Sequence, residues 1–179
     1  MNGSSLCEPW SQESRALNPD VRSIPQPRLV NTYNVSEFLI TRIDYEHPDS
    51  QKLVAEVQAE YVEMYGSGDE APLSAEDFLA GKGEFFVGYI DDHPIAMGGW
   101  RKFDDSAAEI KRMYVIADYR RMGFATQMLR HVEEAIKAAG FQRAILGTGA
   151  VQIAAIEMYL RNGYERTAPF GYYQDPEDS

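Results

Sequence analysis

The stretch EIKRMYVIADYRRMGFATQML, Glu109 to Leu129, joins two patterns that meet at a double arginine. Upstream, AAEIKRMYV (107–115) has the length and composition of a strand. Downstream, apolar residues recur at Met128, Leu129, Val132 and Ile136, a helical period over Thr126–Ala139 closed by Gly140. A helix beginning there leaves about four backbone N–H groups without intrahelical partners and carries positive partial charge. Gly123 and Ala125 keep the backbone open to close approach, and Arg120 and Arg121 add permanent charge. The combination suits a pyrophosphate. From this segment alone, an ordinary surface loop with scattered arginines reads equally well.

Working outward, EFFVGYI (84–90) and IAMGGWRKF (95–103) are strand-like and end at the turns Asp91-Asp92-His93-Pro94 and Asp104-Asp105-Ser106. Such short links predict an antiparallel meander. RAILGTG (Arg143–Gly149) reads as a buried strand, VQIAAIEMYLRNG as a helix stopped by Gly163, and YERTAPF as an extended end. Before the meander, EFLITRI (Glu37–Ile43) alternates as a first strand. HPDSQKLVAEVQAEYVEMYG carries Leu53, Val54, Val57, Tyr61 and Met64 at helical spacing, with Asp49 or Ser50 as cap and Gly66 as stop. In LSAEDFLAG, Ser74 and Asp77 form a capping-box pattern for a short second helix. Residues 1–35, with prolines, serines and asparagines and no sustained period, read as a flexible leader. The expected organisation is that leader followed by one domain, 36–179, of mixed α/β class with a mostly antiparallel sheet.

Composition narrows the function. The chain has 179 residues, 44% of them hydrophobic and 25% charged, enough for one domain with a real core. A net charge of −11 argues against a nucleic-acid partner, whose phosphates need a basic face. No apolar run has the roughly 20 residues of a membrane span. No export signal is evident, so a cytoplasmic location is expected. Cys7 is the single cysteine, and His47, His93 and His131 are scattered, so no metal site is expected. Between Glu37 and Leu79 eleven acids face two bases. They form either a solvated helix surface or a negative mouth that attracts cationic amines.

Two motifs together carry more weight. Arg120-Arg121-Met122-Gly123-Phe124-Ala125 resembles the [Q/R]-x-x-G-x-[G/A] acyl-CoA signature of the GCN5-related N-acetyltransferases. Gln152-Ile153-Ala154-Ala155-Ile156-Glu157-Met158-Tyr159-Leu160-Arg161-Asn162-Gly163-Tyr164 resembles that family's N-x-x-A-x-x-[LM]-Y-x-x-x-G-[FY], with glutamine at 152 in place of asparagine. The resemblance spans roughly Glu37 to Phe170 and implies acetyl-CoA as co-substrate. Residues 120–125 and Thr126 would then seat its pyrophosphate. Met113, Tyr114 and Val115 would offer main-chain groups to the pantetheine arm, with Gln152 beside it. The strands Ala107–Val115 and Arg143–Gly149 would splay to admit it.

The resemblance also implies Tyr159 as the acid that protonates the leaving thiolate and Glu109 as the base. The alternatives are a core tyrosine and a strand glutamate paired with Lys111. The implied reaction is direct acetyl transfer to a primary amine of a small molecule, a cationic one included. A peptide or protein acceptor, or a non-catalytic acyl-CoA-binding module, are the alternatives. Trp100 and the aromatic run Phe170, Tyr172 and Tyr173 are candidate walls of an acceptor pocket, with simple packing the other reading. The family's sheet ends in a C-terminal hairpin, yet few residues follow Tyr164. The last strand is therefore very short, lies beyond the sequence, or comes from a second copy in a homodimer.

Overall fold

The computed structural model describes residues 10–17, 37–69 and 73–171. Its strands are β1 (Trp10–Ala16), β2 (Leu39–Arg42), β3 (Gly83–Ile90), β4 (His93–Lys102), β5 (Ala107–Val115), β6 (Arg143–Gly149) and β7 (Glu165–Arg166). They form one sheet in the order β2-β3-β4-β5-β6-β1-β7. All neighbours are antiparallel except β5 and β6. Helices α1 (Pro48–Tyr65), α2 (Phe124–Ala138) and α3 (Ile153–Arg161) cover the faces. Leu53 and Val57 of α1 pack on Phe85, Val87 and Met97. On the other face Met128, Leu129, Val132 and Ile136 of α2, with Tyr159 of α3, pack on Phe86, Ile95, Ala96 and Ile110. The mixed α/β class and the antiparallel meander are as expected.

Local chemistry sets the joints. Asp91 and Asp92 both take positive φ, 48° and 61°, which gives the β3–β4 hairpin a two-residue turn whose twist matches its strands. Asp104 holds the β4–β5 turn by accepting from the Ser106 and Ala107 amides, each at 2.7 Å. Helix α1 is capped by His47, whose Nδ1 accepts from Asp49 N–H at 3.2 Å, with Pro48 in the first turn. Ser50 is buried instead and donates to the Asp44 carbonyl at 2.9 Å. The expected second helix is one 3₁₀ turn, Ala75–Phe78, with the Ser74–Asp77 capping box formed. Helix α2 starts two residues earlier than its apolar period indicates, and its first residue, Phe124, packs tilted on Phe38 at 4.7 Å between ring centroids.

The leader reading needs correction. Trp10–Ala16 is a strand inside the sheet, paired to β6 over seven positions from Trp10↔Gly149 to Ala16↔Arg143, and to β7 on its other side. Without it, the far edge of β6 would present unpaired N–H and C=O groups. The sequence WSQESRA lacks apolar alternation, so its strand character was invisible. Polar contacts and one anchor hold it instead. Gln12 Nε2 donates to the Phe170 carbonyl at 3.1 Å, and the Phe170 N–H donates back to Gln12 Oε1. Arg15 Nη1 donates to both carboxylate oxygens of Glu133 on α2, at 2.8 and 2.9 Å. Leu17 then enters the core. The slot that suggested a homodimer is thus filled by the same chain. Cys7, residues 18–36, Tyr172 and Tyr173 lie outside the described residues.

Candidate active site

Strands β5 and β6 pair only at Ala107↔Arg143, Ala108↔Ala144 and Glu109↔Ile145, then diverge, as expected of strands that splay. The wedge they open is lined by Ile110, Lys111, Arg112 and Met113 from β5 and by Leu146, Gly147 and Thr148 from β6. Gln152, Ala155 and Tyr159 close it from the α3 side, and Tyr61 and Asp69 from the α1 side. Its enclosed volume is about 50 Å3. A shallower hollow of about 370 Å3 over Arg42, Asp44, Phe78 and Phe85 lies away from the splayed strands and gathers none of the candidate groups.

A bulge shapes the β5 wall. Gly99 faces Lys111 while Met97 faces Tyr114, so β5 carries one extra residue there, and Arg112 sits at φ 57°. Lys111 lies against Glu109 and Arg112 against Asp69, so the bulge brings consecutive cations to carboxylates. Across the wedge, Gly149 admits the hydroxyl of Tyr65: a Cβ at 149 would lie 1.7 Å from that oxygen. This contact ties the end of α1 to the end of β6.

At the mouth of the wedge, Gly123 caps α2 at φ 89°, and no side chain caps the helix. The first amide bonded across the cap is Gln127 N–H, to the Gly123 carbonyl at 3.1 Å. Among the described residues, the N–H groups of Arg121 to Thr126 have no hydrogen-bond partner. That is the donor set a pyrophosphate needs. Arg121 and Met122 are exposed, and Phe124, Ala125 and Thr126 are half-buried. Arg120 is committed elsewhere. Its Nε donates to the Val115 carbonyl at 2.8 Å, its Nη2 reaches both oxygens of Glu60 at 2.6 and 2.8 Å, and it lies over the Tyr114 ring.

The other sequence candidates divide. Met113, Gln152 and Tyr159 line the wedge. Gln152 Oε1 accepts from Thr148 Oγ1 at 3.1 Å, so the amide bridges β6 and α3. Tyr114 faces α1, donating to Glu60 Oε1 at 2.8 Å, and Val115 has given its carbonyl to Arg120. Tyr159 is 5% exposed, and burial, with Tyr61 and Glu13 nearby, pushes its phenol well above the usual range. Glu109 is 8% exposed, with Arg101 Nε at 2.8 Å from Oε2 and Lys111 Nζ at 3.3 Å from Oε1. It is not among the residues lining the wedge.

Trp100 is core, packed on Phe141 and donating to Glu84 at 3.3 Å. Phe170 packs on Phe103. Sequence reading missed Tyr61, Asp69 and Arg112. Tyr61 was hidden in the α1 apolar stripe, and Asp69 in a loop. Nothing in the strand pattern announced the bulge at Arg112.

A parallel pair that parts after three positions and a helix opened by Gly123 with no side-chain cap are the arrangement that the resemblance implies for an acyl-CoA-handling domain. The chain belongs to the acetyltransferase (GNAT) family, whose description matches residues 38–164. The domain is an N-acetyltransferase domain of that family. Human N-acetyltransferase 8 is 28% identical over 114 residues, 60% of this chain and 50% of the human protein, so the matched segment spans half that relative. The uncharacterized N-acetyltransferase YedL of Escherichia coli is 27% identical over 142 residues, 78% of this chain and 89% of the bacterial one. A GNAT family acetyltransferase from Elizabethkingia anophelis, solved with acetyl-CoA bound, superposes with a TM-score of 0.56 at 18% identity. That likeness covers 73% of this chain and 78% of that one. Among the described residues no helix is long and apolar enough to cross a membrane, and no group of His, Cys, Asp and Glu could hold a metal ion.

Proposed function

We propose that the whole protein transfers acetyl from acetyl-CoA directly to a primary amine of a small molecule, in one ternary complex in the cytoplasm. One observation carries this reading: the unpartnered amides of Arg121 to Thr126 open α2 beside a wedge where β5 and β6 part. Those amides, with Arg121 alongside, would hold the pyrophosphate. The β5 backbone past Glu109, unpaired on its β6 side, would align the pantetheine arm. Acetyl-CoA supplies an activated thioester carbonyl. The amine nitrogen forms the new bond to that carbon as the carbon–sulfur bond breaks. The amine loses one proton and the thiolate gains one.

Tyr159 lines the wedge and is proposed to give the thiolate its proton; burial keeps the phenol protonated. Glu109 is proposed to receive the amine's proton through water, because it does not line the wedge and both its oxygens already meet cations. The geometry supports Tyr159 more directly than Glu109. An enclosed wedge walled by Tyr61 favours a small acceptor over a protein chain. The acidic run argues less strongly for a cationic acceptor than its sequence does. Asp49, Glu60, Asp69 and Asp77 are engaged by Tyr89, Arg120, Arg112 and Arg101. The test is titration calorimetry with acetyl-CoA, followed by thiol release with a panel of amines. Binding with amine-dependent thiol release is expected; absence of binding at millimolar acetyl-CoA rejects the reading.

A further inference from the structure

The wedge is lined by three charged residues that acetyl transfer itself does not use, Lys111, Arg112 and Asp69, and Arg112 keeps a donor to spare. Arg112 is 9% exposed, lines the wedge, and sits at φ 57° on the bulge. A non-glycine residue in that conformation is strained, and burying a cation costs more still unless it is paired. Glycine here would relieve both, so the presence of an arginine needs a reason. Tethering the loop after α1 is part of it, since Nη1 meets Asp69 and Tyr45 lies against the guanidinium. That leaves donors over. A guanidinium has five N–H groups in a flat fork. The Nε–H is buried and has no hydrogen-bond partner among the described residues. A buried donor left unmade is destabilising, and a ligand oxygen would recover that loss. Lys111 adjoins it on the same wall, but Glu109 already holds it.

We propose that Arg112 reads a carboxylate on the acceptor, so that the preferred substrates are amines bearing a carboxylate. This rests on the acetyltransferase reading above and narrows its acceptor class. The fork geometry suits a planar carboxylate better than a single point charge does.

The test compares matched pairs in the full-length protein: glycine, β-alanine and γ-aminobutyrate against their carboxamides, with phosphoethanolamine as a second anion. Acetyl-CoA binding is measured first by calorimetry. The expected result is a kcat/KM about 10- to 100-fold higher for the carboxylates than for the amides. This preference should reside in KM and collapse in the double variant Arg112→Met, Asp69→Asn, which leaves no buried charge unpaired. The wild-type comparison needs no variant, so it stands even if the double variant fails to fold. Equal turnover of acids and amides overturns the proposal. So does a preference that survives the double variant, or a preference for phosphoethanolamine over every carboxylate. Acetyl-CoA binding with no carboxylate acceptor acetylated overturns it while leaving the acetyltransferase reading in place. Failure to bind acetyl-CoA removes both.

Discussion

Two side chains separate chemistry from scaffolding. Tyr159 has a pKa raised mainly by burial, so its phenol stays protonated over the whole range in which an amine becomes neutral. Tyr159→Phe should lower kcat about 100-fold while the acetyl-CoA Kd holds. The wild-type kcat should not fall between pH 7 and 10 through loss of this acid. A variant rate within twofold of wild type would take Tyr159 out of the reaction. Glu109 has a different neighbourhood, since its carboxylate also holds Arg101 and Lys111 on the β4–β5 face. Glu109→Gln should lower kcat about 100-fold with the acetyl-CoA Kd unchanged. A fall in melting temperature with kcat intact would show that it only anchors the two cations.

Element-scale contacts set the width of the wedge. Gly149→Ala drives a methyl group into the Tyr65 hydroxyl, where Gly147→Ala on the same strand meets nothing nearer than Gln12 Cγ at 4.0 Å. The first should cost about 1–3 kcal/mol by urea unfolding and the second much less. Equal costs would mean that the end of α1 does not bear on β6. The meander, α1, α2, β6 and α3 were all legible, because apolar period and turn chemistry agree there. The glycine turn that opens α2 was legible as a spacing. The commitment of Arg120 to Glu60 was not, since that pair lies 60 positions apart in the chain. The bulge at Arg112 escaped because an inserted residue leaves the composition of a strand unchanged. Strand β1 escaped because hydrogen bonding, not apolar alternation, holds it.

Across the molecule, several tyrosines share one property. Tyr89 is pushed up to about 12 by burial and by Asp49, and Tyr114, Tyr159 and Tyr164 are raised as well, chiefly by burial. In the unfolded chain each titrates near 10. The folded form therefore keeps protons that the unfolded form releases above that value, and stability falls as pH rises further. The urea midpoint should be flat from pH 8 to 9.5 and drop between pH 10 and 12. A midpoint unchanged to pH 12 would mean that these phenols ionise alike in both states.

The placement of the first strand also bears on how the polypeptide matures during synthesis. Trp10 leaves the ribosome well before its partner Gly149, and Arg166 comes later still. At 5–20 residues per second the opening segment waits on the order of ten seconds for its place. The meander and its helices can assemble meanwhile, and β1 takes its place beside β6 and β7 once those strands have emerged. A product terminated before Arg143 would carry α2 and its open amides with no partner for β1.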